Sequence, residues 1–299
     1  MKIVVFGAGS LGSLMGGLLA REHDVTLVGR SPHADRIERE GLTVCGRLEA
    51  HVSPESTTDG TELSADLAVV TVKAHDTETA ARTLATGSFD GVLSLQNGMG
   101  NEETLAAHLS CPVLAGTATY GAVVAEPGRV RCTGLGDVVL GPRDGGASTL
   151  ADRVGAAFSA AGIETTVAAD MPRRLWEKLA INAAINPVTA LARVENGAVL
   201  ESPALDVALA AAGETVRVAR AVGVDLDEEA TLSAVERVAA ATAENESSML
   251  QDVRAGRRTE IDAISGYVVE RALDAGVDVP TNRTLTAALE TWERGRKTE

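Results

Sequence analysis

The first thirty residues constrain this chain more than any other stretch. Lys2-Ile-Val-Val-Phe6 is a short, β-branched apolar run, as expected of a buried parallel strand. It leads into Gly7-Ala8-Gly9-Ser10-Leu11-Gly12, then an apolar helix expected over about 13–20, then a second strand, Asp24–Val28. Strand, glycine loop, helix and strand in that order make a dinucleotide-binding βαβ unit. Each glycine has a separate reason. Gly7 permits the tight turn, Gly9 lets a pyrophosphate approach the backbone, and Gly12 lets the helix pack close to the strand. The helix N-terminus then offers partial positive charge to the phosphates. The expected fold is α/β, with an N-terminal Rossmann-type doubly wound sheet.

The end of the second strand bears on the cofactor. An NAD-preferring site usually carries Asp or Glu there for the ribose 2′-hydroxyl. This chain has Val28-Gly29-Arg30-Ser31, with His33 and Arg36 close behind. A guanidinium fork suits a 2′-phosphate, so the expected cofactor is NADP(H).

The next segments extend the sheet. Ala65–Val72 is another buried strand, ending at Lys73. Ligands on such sheets bind beyond the C-terminal strand ends, which puts Lys73 at the cofactor edge. A helix follows at about 77–84. Gly91–Leu95 leads to Gln96-Asn97-Gly98, where Asn97 is a candidate for ribose or nicotinamide, although Asn-Gly is also an ordinary turn. Further elements are a helix near 102–109 and a strand over 113–119. Ala122, just past that strand, is a further expected cofactor-binding residue. Antiparallel strands at 128–132 and 137–140, a helix near 148–161 and a strand at 164–167 close the first domain. Asp170-Met-Pro172 reads as a helix start, with Asp as cap and Pro in the first turn. The expected division is 1–169 for the NADP-binding domain and 170–299 for an all-helical substrate and catalytic domain.

The helical half opens on Arg174-Leu-Trp-Glu-Lys178-Leu-Ala-Ile-Asn182-Ala-Ala-Ile-Asn186-Pro187. Lys178, Asn182 and Asn186 are spaced four apart, so a helix stacks them on one face. A greasy helix carrying one ammonium and two amides in a row faces either water or something polar. Burying such groups unpaired would cost roughly 2–7 kcal/mol each. Composition sharpens the point. Of 27 Lys and Arg residues only four are lysines, at 2, 73, 178 and 297. Where the chain needs a plain positive charge it uses Arg. Lys, unlike Arg, can give up a proton when its surroundings lower its pKa, so Lys73 and Lys178 are candidates for chemistry.

The remaining pattern is helical. Helices are expected from Pro203 to about 223, over 227–243, over 245–256 with its own cap and with Ser248 in its first turn, and over 284–294 before a charged tail. Thr259-Glu260-Ile-Asp262 reads as a capping box opening a helix to about 275. The net charge of −15 argues against nucleic acid as a partner. Its acidic, Lys-poor, aromatic-poor composition fits a salt-loving organism or a high-GC genome. Cys45, Cys111 and Cys132 lack metal-like spacing and read as reduced and structural, so a cytoplasmic location and no metal are expected. Neither a secretory leader nor a membrane span of roughly 20 apolar residues is visible.

Three segments together resemble the 2-dehydropantoate 2-reductase (ketopantoate reductase) family. They are Gly7–Gly12 with Gln96-Asn97-Gly98; Trp176 to Pro187; and Asn245–Asp252 with Thr259-Glu260-Ile-Asp262. The resemblance spans essentially the whole chain. It implies NADPH-dependent reduction of 2-dehydropantoate to (R)-pantoate, a step towards coenzyme A. It makes Lys178 the general acid and gives Glu260 a catalytic and cofactor-binding part in the closed ternary site. Asn182, Asn186, Asn196 and Ser248 would hold the substrate, and the glycine loop, Lys73 and Asn97 the cofactor. Two rival readings share the residues: reduction of another small 2-oxo acid or an imine, and a non-catalytic NADP(H)-binding sensor. A homodimer through the helical domain is a further possibility.

Overall fold

The structure is a computed structural model that describes residues 1–296. It contains two compact units. Unit 1 comprises Met1–Gln96 and Asn101–Met171; unit 2 comprises Asn97–Gly100 and Pro172 onward. The chain therefore divides two residues later than the expected 169/170 boundary, and the Asn97–Gly100 segment groups with the helices.

Unit 1 runs β1 (Lys2–Phe6), α1 (Ser10–Leu19), β2 (Asp24–Val28), α2 (His33–Glu40), β3 (Leu42–Gly46), β4 (Ala50–Val52), β5 (Glu55–Thr57), β6 (Ser64–Val70), α3 (Thr77–Leu84) and β7 (Ser88–Ser94). It continues with α4 (Asn101–His108), β8 (Val113–Ala118), β9 (Gly121–Glu126), β10 (Arg129–Gly134), β11 (Val138–Pro142), α5 (Thr149–Ala160) and β12 (Thr165–Val167). Eight strands form one sheet in the order β12-β11-β8-β7-β6-β1-β2-β5. All its pairings are parallel except β8 with β11. Strand order reverses around β1, which lies between β2 and β6, and a doubly wound sheet binds ligands at such a switch point.

Both faces of this sheet are covered, which is why its strands read as continuous apolar runs. On β6, Leu67 and Val69 enter one core with Leu14, Leu18, Leu27 and Phe158. Ala68 and Val70 face the other way, into a core with Ala80, Leu84 and Leu105 from α3 and α4. A second sheet, β4-β3-β10-β9, packs on α1. A Cβ at Gly16 would stand 2.4 Å from Leu27 and one at Gly17 2.8 Å from Val44, so only a bare backbone fits α1 between the two sheets.

Several sequence expectations change here. The antiparallel strands expected at 128–132 and 137–140 exist, each in an antiparallel pairing, but in different sheets. β10 joins β9 and β3 in the small sheet, while β11 pairs with β8 and β12 in the large one. Strands β3, β4 and β5 lie in a stretch that carried no strand signal. α1 begins at Ser10, three residues earlier than expected.

Unit 2 holds α6 (Met171–Ala192, whose first residue belongs to unit 1), α7 (Ala204–Ala221), α8 (Glu228–Ala241), α9 (Ser248–Arg254), α10 (Ser265–Ala275) and α11 (Pro280–Arg296). α6 is its axis. Trp176, Leu179, Ala183 and Ala190 enter one core; Ala184, Ile185 and Val188 enter another. A helix apolar on most sides belongs inside a bundle. The expected capping box at Thr259 does not open a single helix. A 3-10 turn, Ile261–Ala263, comes first, the backbone breaks at Ile264, and α10 begins at Ser265. The Thr259 hydroxyl still accepts the Ile261 N–H at 3.3 Å, but the Thr259 backbone N–H, which the acid of the box would accept, donates at 2.8 Å to Oε1 of Glu293 on α11. The last helix begins at Pro280, four residues before its expected start. Lys297 and the rest of the charged tail lie outside the described residues. Among those described, no helix is long and apolar enough to cross a membrane.

Candidate active site

In unit 1 the glycine loop leaves β1 and enters α1. Gly7 has φ +114°, a conformation that L side chains rarely adopt, and a Cβ there would lie 2.7 Å from the Val72 nitrogen. The Gly7 and Ala8 N–H groups donate to the Val28 carbonyl at 2.9 and 2.8 Å, and the Thr71 hydroxyl donates to the Gly7 carbonyl at 2.8 Å. These bonds fix the turn between the ends of β1, β2 and β6. A Cβ on Gly12 would fall 2.1 Å from the Gly7 oxygen, so the helix can start this close to the loop only with glycine. Gly9 differs: a Cβ there would meet no atom closer than 4.0 Å. It is the N-cap of α1, and no side chain caps that helix. Open space over Gly9, before an uncapped helix start at Ser10 and Leu11, fits the pyrophosphate of a dinucleotide.

The other cofactor candidates of unit 1 stand at strand ends. Arg30 follows β2; its side chain is 88% exposed and pairs with Asp76 at 2.9 Å. His33 and Arg36 do not join it. His33 is buried, with Nε2 2.9 Å from the Ser13 hydroxyl and Nδ1 accepting the Gly128 N–H at 3.1 Å. Burial lowers its pKa, and the accepting Nδ1 requires a neutral ring whose Nε2–H donates to Ser13. Arg36 pairs with Glu40 at 2.8 Å, one turn along α2. Lys73 is half-buried beyond β6, immediately preceding the 3-10 turn Ala74–Asp76. Ala122 lies on β9, where the neighbouring Val124 N–H donates to the Ser10 hydroxyl at 3.3 Å.

Beneath the end of β7 runs a buried polar chain. Gln96 Nε2 donates to the Val72 carbonyl at 3.0 Å and to the Thr77 hydroxyl at 2.7 Å, and Thr77 donates to Asn101 Oδ1 at 2.8 Å. Next to it, Glu102 in the first turn of α4 is buried. Desolvation raises its pKa to about 7, against the opposing pull of hydrogen bonds from its own backbone and Ser94.

In unit 2, α6 aligns Lys178, Asn182 and Asn186 on one face at successive helical turns. Lys178 and Asn182 are half-buried, and Asn186 is buried. Three residues past Asn186, Thr189 is fully buried. Its hydroxyl reaches the Ile185 and Asn186 carbonyls at 2.9 and 3.1 Å and lies 2.8 Å from the Ser247 hydroxyl. Ser247 in turn caps α9, accepting the Leu250 N–H at 3.1 Å. This relay fastens the polar face of α6 to the turn that presents Ser248, the first residue of α9.

Asn196 opens a 3-10 helix, Asn196–Leu200, rather than a simple turn. Its backbone N–H donates to the Asn245 carbonyl and that of Gly197 to Ala243, both at 3.0 Å, which draws it to the link between α8 and α9. Glu260 is 6% exposed and precedes the 3-10 turn at Ile261. Asn97 adjoins the same turn: the Met99 N–H donates to the Ala263 carbonyl at 2.9 Å, and a Cβ on Gly98 would lie 2.6 Å from Ala263. Within unit 2, Asn97 and Glu260 therefore sit on neighbouring segments.

Thr189, Ser247 and Glu102 carried no sequence expectation. For Ser247 a signal existed, since a Ser-Ser pair before an apolar run marks an N-cap. Thr189 and Glu102 owe their interest to tertiary burial.

Comparison with known proteins agrees with this arrangement. The profile described as "Ketopantoate reductase PanE/ApbA" matches residues 3–145, and "Ketopantoate reductase PanE/ApbA C terminal" matches 170–293. The 2-dehydropantoate 2-reductase of Halobacterium salinarum is 46% identical over 313 residues, spanning 98% of this chain and 99% of that protein. That of Archaeoglobus fulgidus is 40% identical over 296 residues, spanning 98% of each. The crystal structure of a PanE/ApbA family ketopantoate reductase from Ralstonia eutropha superposes with a TM-score of 0.92 at 32% identity, covering 99% of this chain and all of that one. With a Rossmann-type unit, a helical unit and relatives of this similarity along its whole length, the chain belongs to the ketopantoate reductase family of oxidoreductases.

Proposed function

We propose that the protein reduces 2-dehydropantoate to (R)-pantoate with NADPH, supplying pantoate for coenzyme A synthesis. The observation that carries this reading is the polar face of α6, where one ammonium and two amides stand in line along a stretch, 178–188, whose other residues are all apolar.

A bound nicotinamide cofactor supplies the hydride. The residues of the chain do the rest. As hydride reaches the ketone carbon, negative charge grows on its oxygen, and the Lys178 ammonium stabilises that charge and delivers a proton to it. An Arg in its place could donate a hydrogen bond but could not surrender a proton. Asn182, Asn186 and Asn196 orient the substrate without cancelling the lysine's charge. Ser248, at the start of α9, holds the carboxylate. Glu260 serves the closed site. Gly7–Gly12, Lys73, Asn97 and Ala122 hold the dinucleotide, and Arg30 exchanges Asp76 for the 2′-phosphate.

Steady-state NADPH oxidation with 2-dehydropantoate, beside a panel of other small 2-oxo acids and beside NADH, tests the reading. A strong preference for 2-dehydropantoate and NADPH is expected. Turnover confined to another 2-oxo acid would overturn the substrate assignment, and equal use of NADH the cofactor assignment.

A further inference from the structure

Asn196 holds one polar atom that the protein does not satisfy. The residue is 8% exposed, and its Oδ1 is buried without a hydrogen-bond partner. Buried polar atoms are nearly always paired, so an orphan beside substrate-binding candidates points to a ligand. The other half of the amide is committed: Nδ2 donates to the Thr242 hydroxyl oxygen at 3.0 Å.

Which half of an amide faces a ligand is decided by its neighbours, and here Thr242 decides it. The Thr242 hydroxyl donates its single hydrogen to the Val238 carbonyl at 2.7 Å, one turn back on α8. Having spent that hydrogen, the oxygen can only accept. It therefore binds Nδ2 and leaves Oδ1 as the buried, unpaired half of the amide. The backbone bonds from Asn196 to Asn245 and from Gly197 to Ala243 hold the two segments in register, and the Asn245 N–H donates to the Thr242 carbonyl at 2.8 Å.

We propose that Thr242 is a positioning residue that fixes the Asn196 amide with its acceptor facing the ligand, so that the site selects 2-oxo acids carrying a hydroxyl donor. The inference rests on the proposed reduction of 2-dehydropantoate. Of that substrate's polar groups, the carboxylate and ketone only accept, and the hydroxyl alone can donate to Oδ1. A site built to pair with a hydroxyl discriminates strongly against an analogue that lacks it. An amide turned the other way would offer Nδ2, from which the carboxylate or ketone of any 2-oxo acid could accept as readily as a hydroxyl, and the discrimination would weaken.

The test compares 2-dehydropantoate with 3,3-dimethyl-2-oxobutanoate, the same skeleton without the hydroxyl. Thr242→Val keeps the shape and removes the hydroxyl, freeing the amide to turn. It should lower kcat/KM for 2-dehydropantoate by roughly tenfold or more, leave the dimethyl acid within about twofold, and so collapse the ratio between them. Thr242→Ser, which restores the hydroxyl, should keep the unaltered enzyme's ratio. Equal losses on both acids in Thr242→Val would show a merely structural role and overturn the inference, as would an unchanged ratio. Should Thr242→Val not fold, a changed ratio in a folded Thr242→Ser would overturn it equally. An unaltered enzyme that does not turn over 2-dehydropantoate would instead overturn the substrate reading itself.

Discussion

At the scale of single residues, two side chains carry separable roles. Arg30 follows β2, where an acid would mark a preference for NAD, and its exposed guanidinium is held by Asp76. Arg30→Asp should weaken NADPH binding by roughly tenfold or more while leaving NADH little changed, because only the former carries the 2′-phosphate. Cofactor titrations check this, and equal losses for both would refute the role. Glu102 is the second. Its pKa rises from 4.5 to about 7 in the fold because burial penalises the charged form. Below pH 4.5 the carboxyl is neutral folded and unfolded, and stability is unaffected. Between 4.5 and about 7 the folded state holds the extra proton, so stability falls as pH rises, then levels off. The full loss corresponds to about 3 kcal/mol. Glu102→Gln should remove this slope and be the more stable protein at pH 8. Denaturant titrations of both proteins across that range should diverge; parallel curves would contradict the assignment.

Elements show why some of this was legible in the sequence and some was not. β1, α1 and β2 were readable because every constraint on them is local: apolar runs for a doubly covered sheet and glycines where the backbone turns and packs. The α6 stripe was readable because helical periodicity aligns Lys178, Asn182 and Asn186 without reference to anything distant. β4 and β5 have only three residues each, too few for alternation to register. The Thr259 motif misled because its backbone N–H, the donor that Asp262 would accept in a capping box, is taken by Glu293, 34 residues away. The links from Thr189 to Ser247 and from Asn196 to Thr242 are likewise tertiary, at separations of 58 and 46 residues. A similar long-range contact starts α11. The buried Glu214 carboxylate of α7 accepts the Thr281 and Asn282 N–H groups and Asn282 Nδ2, each at 2.8 Å. Glu214→Ala would orphan the two backbone N–H groups, leave Asn282 Nδ2 with the Ala211 carbonyl alone, and should cost on the order of 3 kcal/mol. Urea unfolding measures it, and a loss below about 1 kcal/mol would show that water replaces the cap.

For the whole molecule, the two units have different chemical characters. Unit 1 offers a glycine turn, an open helix start and strand ends around a switch point, which are dinucleotide-binding features. Unit 2 offers an ammonium, amides and a hydroxyl on a buried helical scaffold, which suit a small oxo acid. The chain's net charge of −15 makes this concentration of cationic and amide groups more specific, since Lys178 is the lone lysine of the helical bundle among the described residues. The central claim is that this lysine gives the proton. The direct measurement is NADPH oxidation with 2-dehydropantoate by Lys178→Ala, with NADPH affinity determined on the same preparation. The account predicts that kcat falls by about a hundredfold or more while NADPH affinity stays near that of the unaltered enzyme. Turnover close to the unaltered rate would contradict it and remove Lys178 from the chemistry.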